Sequence, residues 1–286
     1  MDTMKEKKIL VVLAHPDDET FGMGGTLALY ARRGVSVYLV CATRGEVGEV
    51  DEALLKGFSS IGERRESELR CAAAMLGLKE VYFMGYRDSG MPGSPDNRNP
   101  LSLVMAPQEK VALEVAHYIR AIQPEVVLTF DPIGGYRHPD HIAIQKATVE
   151  AFELAAKGPV FNDGLAPFQA QRLYFHTMPR GFLRMMTRLM PLVGKDPTKF
   201  GRNKDIDLKS IAEVNFPTHA RIDYRPVIQV RDEAAACHIS QGGGLTGNGL
   251  IGWVRKQFAS HETFMQAYPE PENGPVKKDL FEGLEN

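Results

Sequence analysis

Two short stretches concentrate the side chains that could do chemistry. In His15-Pro16-Asp17-Asp18-Glu19 an imidazole precedes Asp18 by three residues, with Asp17 and Glu19 alongside; in Tyr136-Arg137-His138-Pro139-Asp140-His141 two imidazoles are again three apart. Imidazole and carboxylate are ligands of Zn²⁺, and a catalytic zinc takes three protein ligands and keeps one position open. The same donor set accepts Fe²⁺. One isolated His-Pro-Asp would read as a loop hydrogen bond, but two clusters favour a shared ion. Spacing alone leaves open which of His138 and His141 is the ligand.

The clusters need elements that bring them together. Ile9 to Ala14 and Val126 to Phe130 are apolar runs without alternation, the pattern of strands buried on both faces of a parallel sheet. Each cluster follows such a run directly, at the strand end where open α/β sheets bind ligands. Pro16 turns the chain out of the first strand, and Gly22, Gly24 and Gly25 lead into a helix at Thr26. Further strands are expected at Val35 to Ala42 and Val81 to Met84. Helices are expected at Ser59 to Leu76 (capped by Ser60, stopped by Gly77), Pro107 to Ile122 and Asp140 to Ala156. This order predicts an α/β protein, a three-layer α/β/α arrangement on a mostly parallel, Rossmann-like sheet.

Beyond Gly158 the rhythm changes. A strand is expected at Arg172 to His176, a helix at Pro226 to Gln241 and a last helix at Trp253 to Phe258, with a glycine-rich loop at Gly242 to Gly249 and a loosely ordered tail over 269–286. No linker interrupts the chain, so we expect a single domain over 1–286. Residues 178–205 read as an insertion, in which Phe182, Met185, Met186, Leu189 and Met190 at helical spacing pack against the core or another subunit, or form a lid.

Composition narrows the classes. With 43% apolar residues in 286, a large core is available; a net charge of −2 argues against a nucleic-acid or anionic-membrane binder. Cys41, Cys71 and Cys237 are odd in number and widely spaced, which suits a reducing cytosol without disulfides. No segment has the ~18 apolar residues of a membrane span, and the basic start runs into His15 too soon for a signal peptide, so a cytoplasmic protein is expected.

The paired motifs His15-Pro16-Asp17-Asp18-Glu19 and His138-Pro139-Asp140-His141 resemble those of the PIG-L/LmbE family of zinc-dependent N-deacetylases. Arg87-Asp88-Ser89-Gly90-Met91, Gly134-Gly135-Tyr136 and Ala236-Cys237-His238-Ile239-Ser240-Gln241 are similar to the branch of mycothiol-pathway deacetylases and amidases. Two positions depart from the pattern: Cys237 stands for an alanine and Arg137 for a frequent glycine. The resemblance implies an LmbE-like fold and metal ligands His15, Asp18 and His141. It implies Asp17 as the base acting on zinc-bound water, with His138, if protonated, and Tyr136 holding the oxyanion. Asp131 would orient His138. Arg65, Asp88 and His238 would contact the sugar, with His238 read either as a pocket wall or as a core histidine. The implied partner is a small amino-sugar conjugate, and a homo-oligomer remains open. Three other readings stand beside deacetylation of an N-acetylglucosamine conjugate. They are hydration of an unsaturated dicarboxylic acid, favoured by arginines such as Arg65 and Arg137, amide cleavage of a thiol conjugate, and a non-catalytic sugar or metal-binding module.

Overall fold

The computed structural model describes residues 6–158, 164–178, 180–199, 206–243 and 260–284. The expected helix at Trp253 to Phe258 and most of the glycine-rich loop lie outside the described residues. Among the described residues, seven strands form one sheet in the order β3-β2-β1-β4-β5-β7-β6. They are β1 (Lys8–Leu13), β2 (Ser36–Thr43), β3 (Glu80–Tyr86), β4 (Val126–Phe130), β5 (Arg172–Thr177), β6 (Ala220–Asp223) and β7 (His261–Tyr268). The first five pair in parallel, and β7 inserts antiparallel between β5 and β6. The mostly parallel α/β sheet expected from the sequence is therefore present.

Helices cover both faces. On one side lie α1 (Asp18–Arg32), α2 (Ile61–Leu76) and α8 (Ile228–Cys237), packed on one another; on the other, α3 (Gln108–Ile122) packs on α5 (Pro139–Ala156). Ile9 to Ala14 are all fully buried, as two-sided cover demands. The α2 boundaries follow the signals in the sequence: Ser60 accepts the N–H of Glu63, and Gly77 takes the left-handed conformation that ends the helix.

Three features depart from expectation. Helix α1 starts at Asp18, not Thr26, and kinks at Met23 (φ −138°). The kink frees N–H groups in mid-helix, and the carboxylate of Glu262 in β7 accepts those of Gly25 and Thr26 at 3.0 and 2.7 Å. Cys71 and Cys237 form a disulfide joining α2 to α8, which corrects the expectation of three free thiols. The cysteines are far apart in sequence but meet because α8 packs on α2, a tertiary contact that spacing cannot show. Finally, the C-terminal stretch is pinned: Leu280 and Phe281 are buried, and Tyr30 donates its hydroxyl proton to Asp279 at 3.0 Å.

Candidate active site

Strands β1 and β4 are neighbours, and the chain reverses its winding between them. Their carboxyl ends leave a crevice, the switch point of a doubly wound sheet. The β1 loop brings His15, Asp17 and Asp18; the β4 loop brings α4 (Gly134–Arg137) and His138, Asp140 and His141 at the start of α5.

His15, Asp18 and His141 converge. His15 Nδ1 stands 3.1 Å from His141 Nε2, and the Asp18 carboxylate lies 3.5 Å from the first and 3.3 Å from the second. Donors sharing a tetrahedral zinc at ~2.0–2.1 Å would stand roughly 3.3 Å apart. The outer nitrogens are committed. His15 Nε2 donates to Asp140 at 3.1 Å, and His141 Nδ1 donates to the Gly134 carbonyl at 3.2 Å. In neutral rings the two inner nitrogens then face each other as lone pairs, an arrangement that asks for a cation between them. Although burial opposes it, the carboxylates of Asp88, Asp140 and Asp18 raise the His15 pKa well above its usual value. The residues present fit a divalent ion. A second set of donors overlaps the first: ligand atoms of His15, His138 and His141 also lie within 4.8 Å of one another.

Asp17 sits beside this cage. Its backbone is left-handed (φ 119°), rare for a residue with a side chain, and costs ~1–3 kcal/mol that the surroundings must hold. Arg65 donates to its Oδ2 at 3.1 Å and to the Pro16 carbonyl at 2.8 Å. Burial raises the Asp17 carboxyl to about 6, against the pull of the Arg65 guanidinium. Gly45 must be glycine here, since a Cβ would stand 2.1 Å from Arg65 Nη1.

His138 and Tyr136 border the same space. The N–H of Asp140 donates to His138 Nδ1 at 3.2 Å, so the ring carries its proton on Nε2. Burial, then the neighbouring His15 and His141, push its pKa down to about 2. As a neutral ring, His138 can donate its Nε2–H. The Tyr136 ring lies edge-on to His141 with centroids 4.9 Å apart, and burial keeps its phenol protonated. Asp131 accepts the N–H groups of Ile133 and Gly135, shaping the turn that presents Tyr136. Arg137 is left-handed (φ 69°), which accounts for glycine's suitability at this position; its side chain is exposed and donates weakly to the Ser210 carbonyl.

These residues open onto a cleft of about 680 Å³ whose walls include His15, Asp17, Arg65, Asp88, Tyr136 and His138. Asp88 is held by the N–H of Gly90 at 2.8 Å. His238 does not reach the cleft: it is fully buried and bonded to Glu19 at 2.7 Å, so a direct role in sugar contact is not available to it. Asp140 and Glu19, which orient His15 and His238, were missed by sequence reasoning. Their acidic type inside histidine-rich motifs was the available signal. Helix α6 (Arg180–Leu189), inside the insertion, leaves Met185, Met186 and Leu189 exposed and ties to α7 (Leu208–Glu213) through Arg184 and the Ala212 carbonyl.

Residues 10–152 match the family model PIG-L, GlcNAc-PI de-N-acetylase. A 1D-myo-inositol 2-acetamido-2-deoxy-α-D-glucopyranoside deacetylase of Thermobifida fusca is 34% identical over 97% of this chain and 100% of its own. One from Kineococcus radiotolerans is 40% identical over 66% of this chain and 57% of its own. The chain belongs to the PIG-L deacetylase family, whose relatives are enzymes that cleave amide bonds. Among solved structures, the conserved protein TT1542 of Thermus thermophilus superposes with a TM-score of 0.61 at 25% identity, covering 92% of this chain and 96% of its own. The 4-carboxy-2-hydroxymuconate hydratase GalB of Pseudomonas putida shares the fold alone, with a TM-score of 0.58 at 20% identity over 94% of this chain and 99% of its own.

Proposed function

We propose that this protein is a metal-dependent hydrolase that removes the acetyl group from an N-acetylglucosamine-type conjugate. The glucosaminyl-inositol named for its relatives is the first candidate substrate. One observation carries the reading: Asp17, a carboxylate not needed to complete the cage, stands beside it in the cleft wall with its Oδ2 held by Arg65 at 3.1 Å. A binding module has no use for a base in that place.

His15, Asp18 and His141 would hold the ion, zinc by preference, with Fe²⁺ accommodated by the same donors. Asp18 rather than His138 completes the set, because it touches both other ligands and leaves the His138 Nε2–H free to donate. A divalent ion there supplies a Lewis acid for the amide carbonyl and lowers the pKa of water. Asp17 accepts the proton of the attacking water, with Arg65 fixing the direction of its carboxylate. His138 Nε2–H and the Tyr136 hydroxyl donate to the oxygen on which negative charge develops. Asp17 returns the proton to the departing amine, and acetate is released. Asp88, held rigid by Gly90, and Arg65 offer one acceptor and one donor to sugar hydroxyls.

The hydratase reading asks for cations to receive two carboxylates. Arg65 is the one arginine or lysine among the described residues of the cleft wall, and it is bound to Asp17; Arg137 points elsewhere. Amide cleavage of a thiol conjugate uses the same steps with a larger acyl group. The test is incubation of zinc-loaded and iron-loaded protein with a panel of N-acetylglucosaminides, a thiol-conjugate amide and an unsaturated dicarboxylate. Amine and acetate are expected in equal amounts from the N-acetyl substrates. Turnover of the dicarboxylate alone would overturn the reading.

A further inference from the structure

The left-handed conformation of Asp17 has a holder outside the cleft. The Asp17 N–H donates to Glu19 Oε2 at 3.0 Å. Glu19 is fully buried, and its other oxygen accepts from the Thr20 hydroxyl and from His238 Nε2, the latter at 2.7 Å. His238 Nδ1 meets no partner among the described residues, so the ring's bonding is directed wholly at Glu19. A buried carboxylate stripped of its imidazole would be left under-satisfied and free to turn away. The Asp17 N–H would then lose a fixed acceptor.

His238 is itself held. It follows Cys237, bonded to Cys71 in α2, and Ser240 gives its N–H and hydroxyl to Glu68 of α2 at 3.0 and 2.6 Å. The same helix carries Arg65, which grips the Asp17 side chain. Asp17 is therefore set from two directions, its carboxylate by α2 and its backbone by α8 through Glu19.

We propose that Glu19 and His238 form a positioning pair, which keeps the Asp17 carboxylate aimed into the cleft without touching substrate. This rests on the deacetylase reading, with Asp17 as base. Strain of this kind is stable only where neighbours over-determine it, and the pair holds the Asp17 N–H while the N–H groups of Thr20 and Phe21 hold its carbonyl. Because the cleft wall is untouched, loss of the pair acts on turnover rather than on substrate binding.

The experiment compares His238→Leu, His238→Gln, Glu19→Gln and the double variant Glu19→Gln/His238→Leu with the parent enzyme on a glucosaminyl-inositol substrate, measuring kcat, KM and bound zinc. Glutamine keeps a donor close to the imidazole Nε2, whereas leucine does not. His238→Leu should lower kcat roughly 10–100-fold, the scale on which supporting partners of such sites act. KM and zinc content should stay near parental values, and His238→Gln should recover most of the loss. The double variant should be no slower than Glu19→Gln. Parental kcat in His238→Leu, or equal losses in the leucine and glutamine variants, would overturn the pairing. A parent enzyme inactive on every N-acetyl substrate would instead overturn the deacetylase reading beneath it.

Discussion

The two loops that build the site are stabilised in opposite ways. The β4 loop is held largely by its own groups, with Ser89 donating to Asp140 from outside: Asp131 gathers the N–H groups of Ile133 and Gly135, and the Gly134 carbonyl receives His141 from the next helix. Gly134 allows this closeness, since a Cβ there would lie 2.8 Å from the Cβ of His141. The β1 loop is held from outside, by Arg65 of α2 on one side and by the Glu19–His238 pair on the other. The self-contained loop brings one candidate ligand, His141, whereas the braced loop brings the other two, His15 and Asp18, beside the base. An externally braced loop suits a base, whose aim depends on distant parts of the chain.

This contrast can be broken in order of expected effect. His141→Ala removes a ligand from the self-contained loop, and zinc content measured by mass spectrometry should fall from about one per chain towards zero, with activity lost altogether. Chelation of the parent should do the same and reverse on adding zinc. Asp17→Asn should keep its zinc yet lose roughly 10²–10⁴-fold in kcat, the usual share of a general base. If its kcat matched the parent's, the assignment of Asp17 would be wrong. Arg65→Met releases one brace of the β1 loop; a fall of roughly 10–100-fold in kcat with retained zinc is expected, and an unchanged rate would show that the brace is dispensable.

The smallest effect concerns stability. Burial raises the Glu262 carboxyl from 4.5 to about 7 while it caps the kinked α1. A carboxyl whose folded pKa is raised contributes stability that is full below about 4.5 and is lost as pH rises through about 7. The melting temperature should therefore decline between about pH 4.5 and 7, and Glu262→Gln should flatten that part of the decline.

Much of the parallel half was legible. Apolar runs such as Ile9 to Ala14 admit only two-sided burial, and Ser60 and Gly77 mark helix ends through local hydrogen bonds and backbone freedom. The residues in the two motifs were legible too, because their chemistry is written in residue type. What escaped was whatever depends on contacts between distant segments. β7 is such a case: its antiparallel place is fixed by neighbours on both sides, not by its own pattern. So are the pairing of His238 with Glu19 and the joining of Cys71 to Cys237. The start of α1 at Asp18 was hidden because three glycines in its first turns argue against a helix, and only Glu262, far along the chain, makes the kinked form tolerable.

The bond between Cys71 and Cys237 spans 166 residues and so closes most of the chain into a covalent ring. Strands β3 to β6 lie on that ring, while β1 and the motif that follows it lie outside and rest against it. Cys71 is exposed and Cys237 half-buried, so the ring is closed near the surface of the fold rather than within its core.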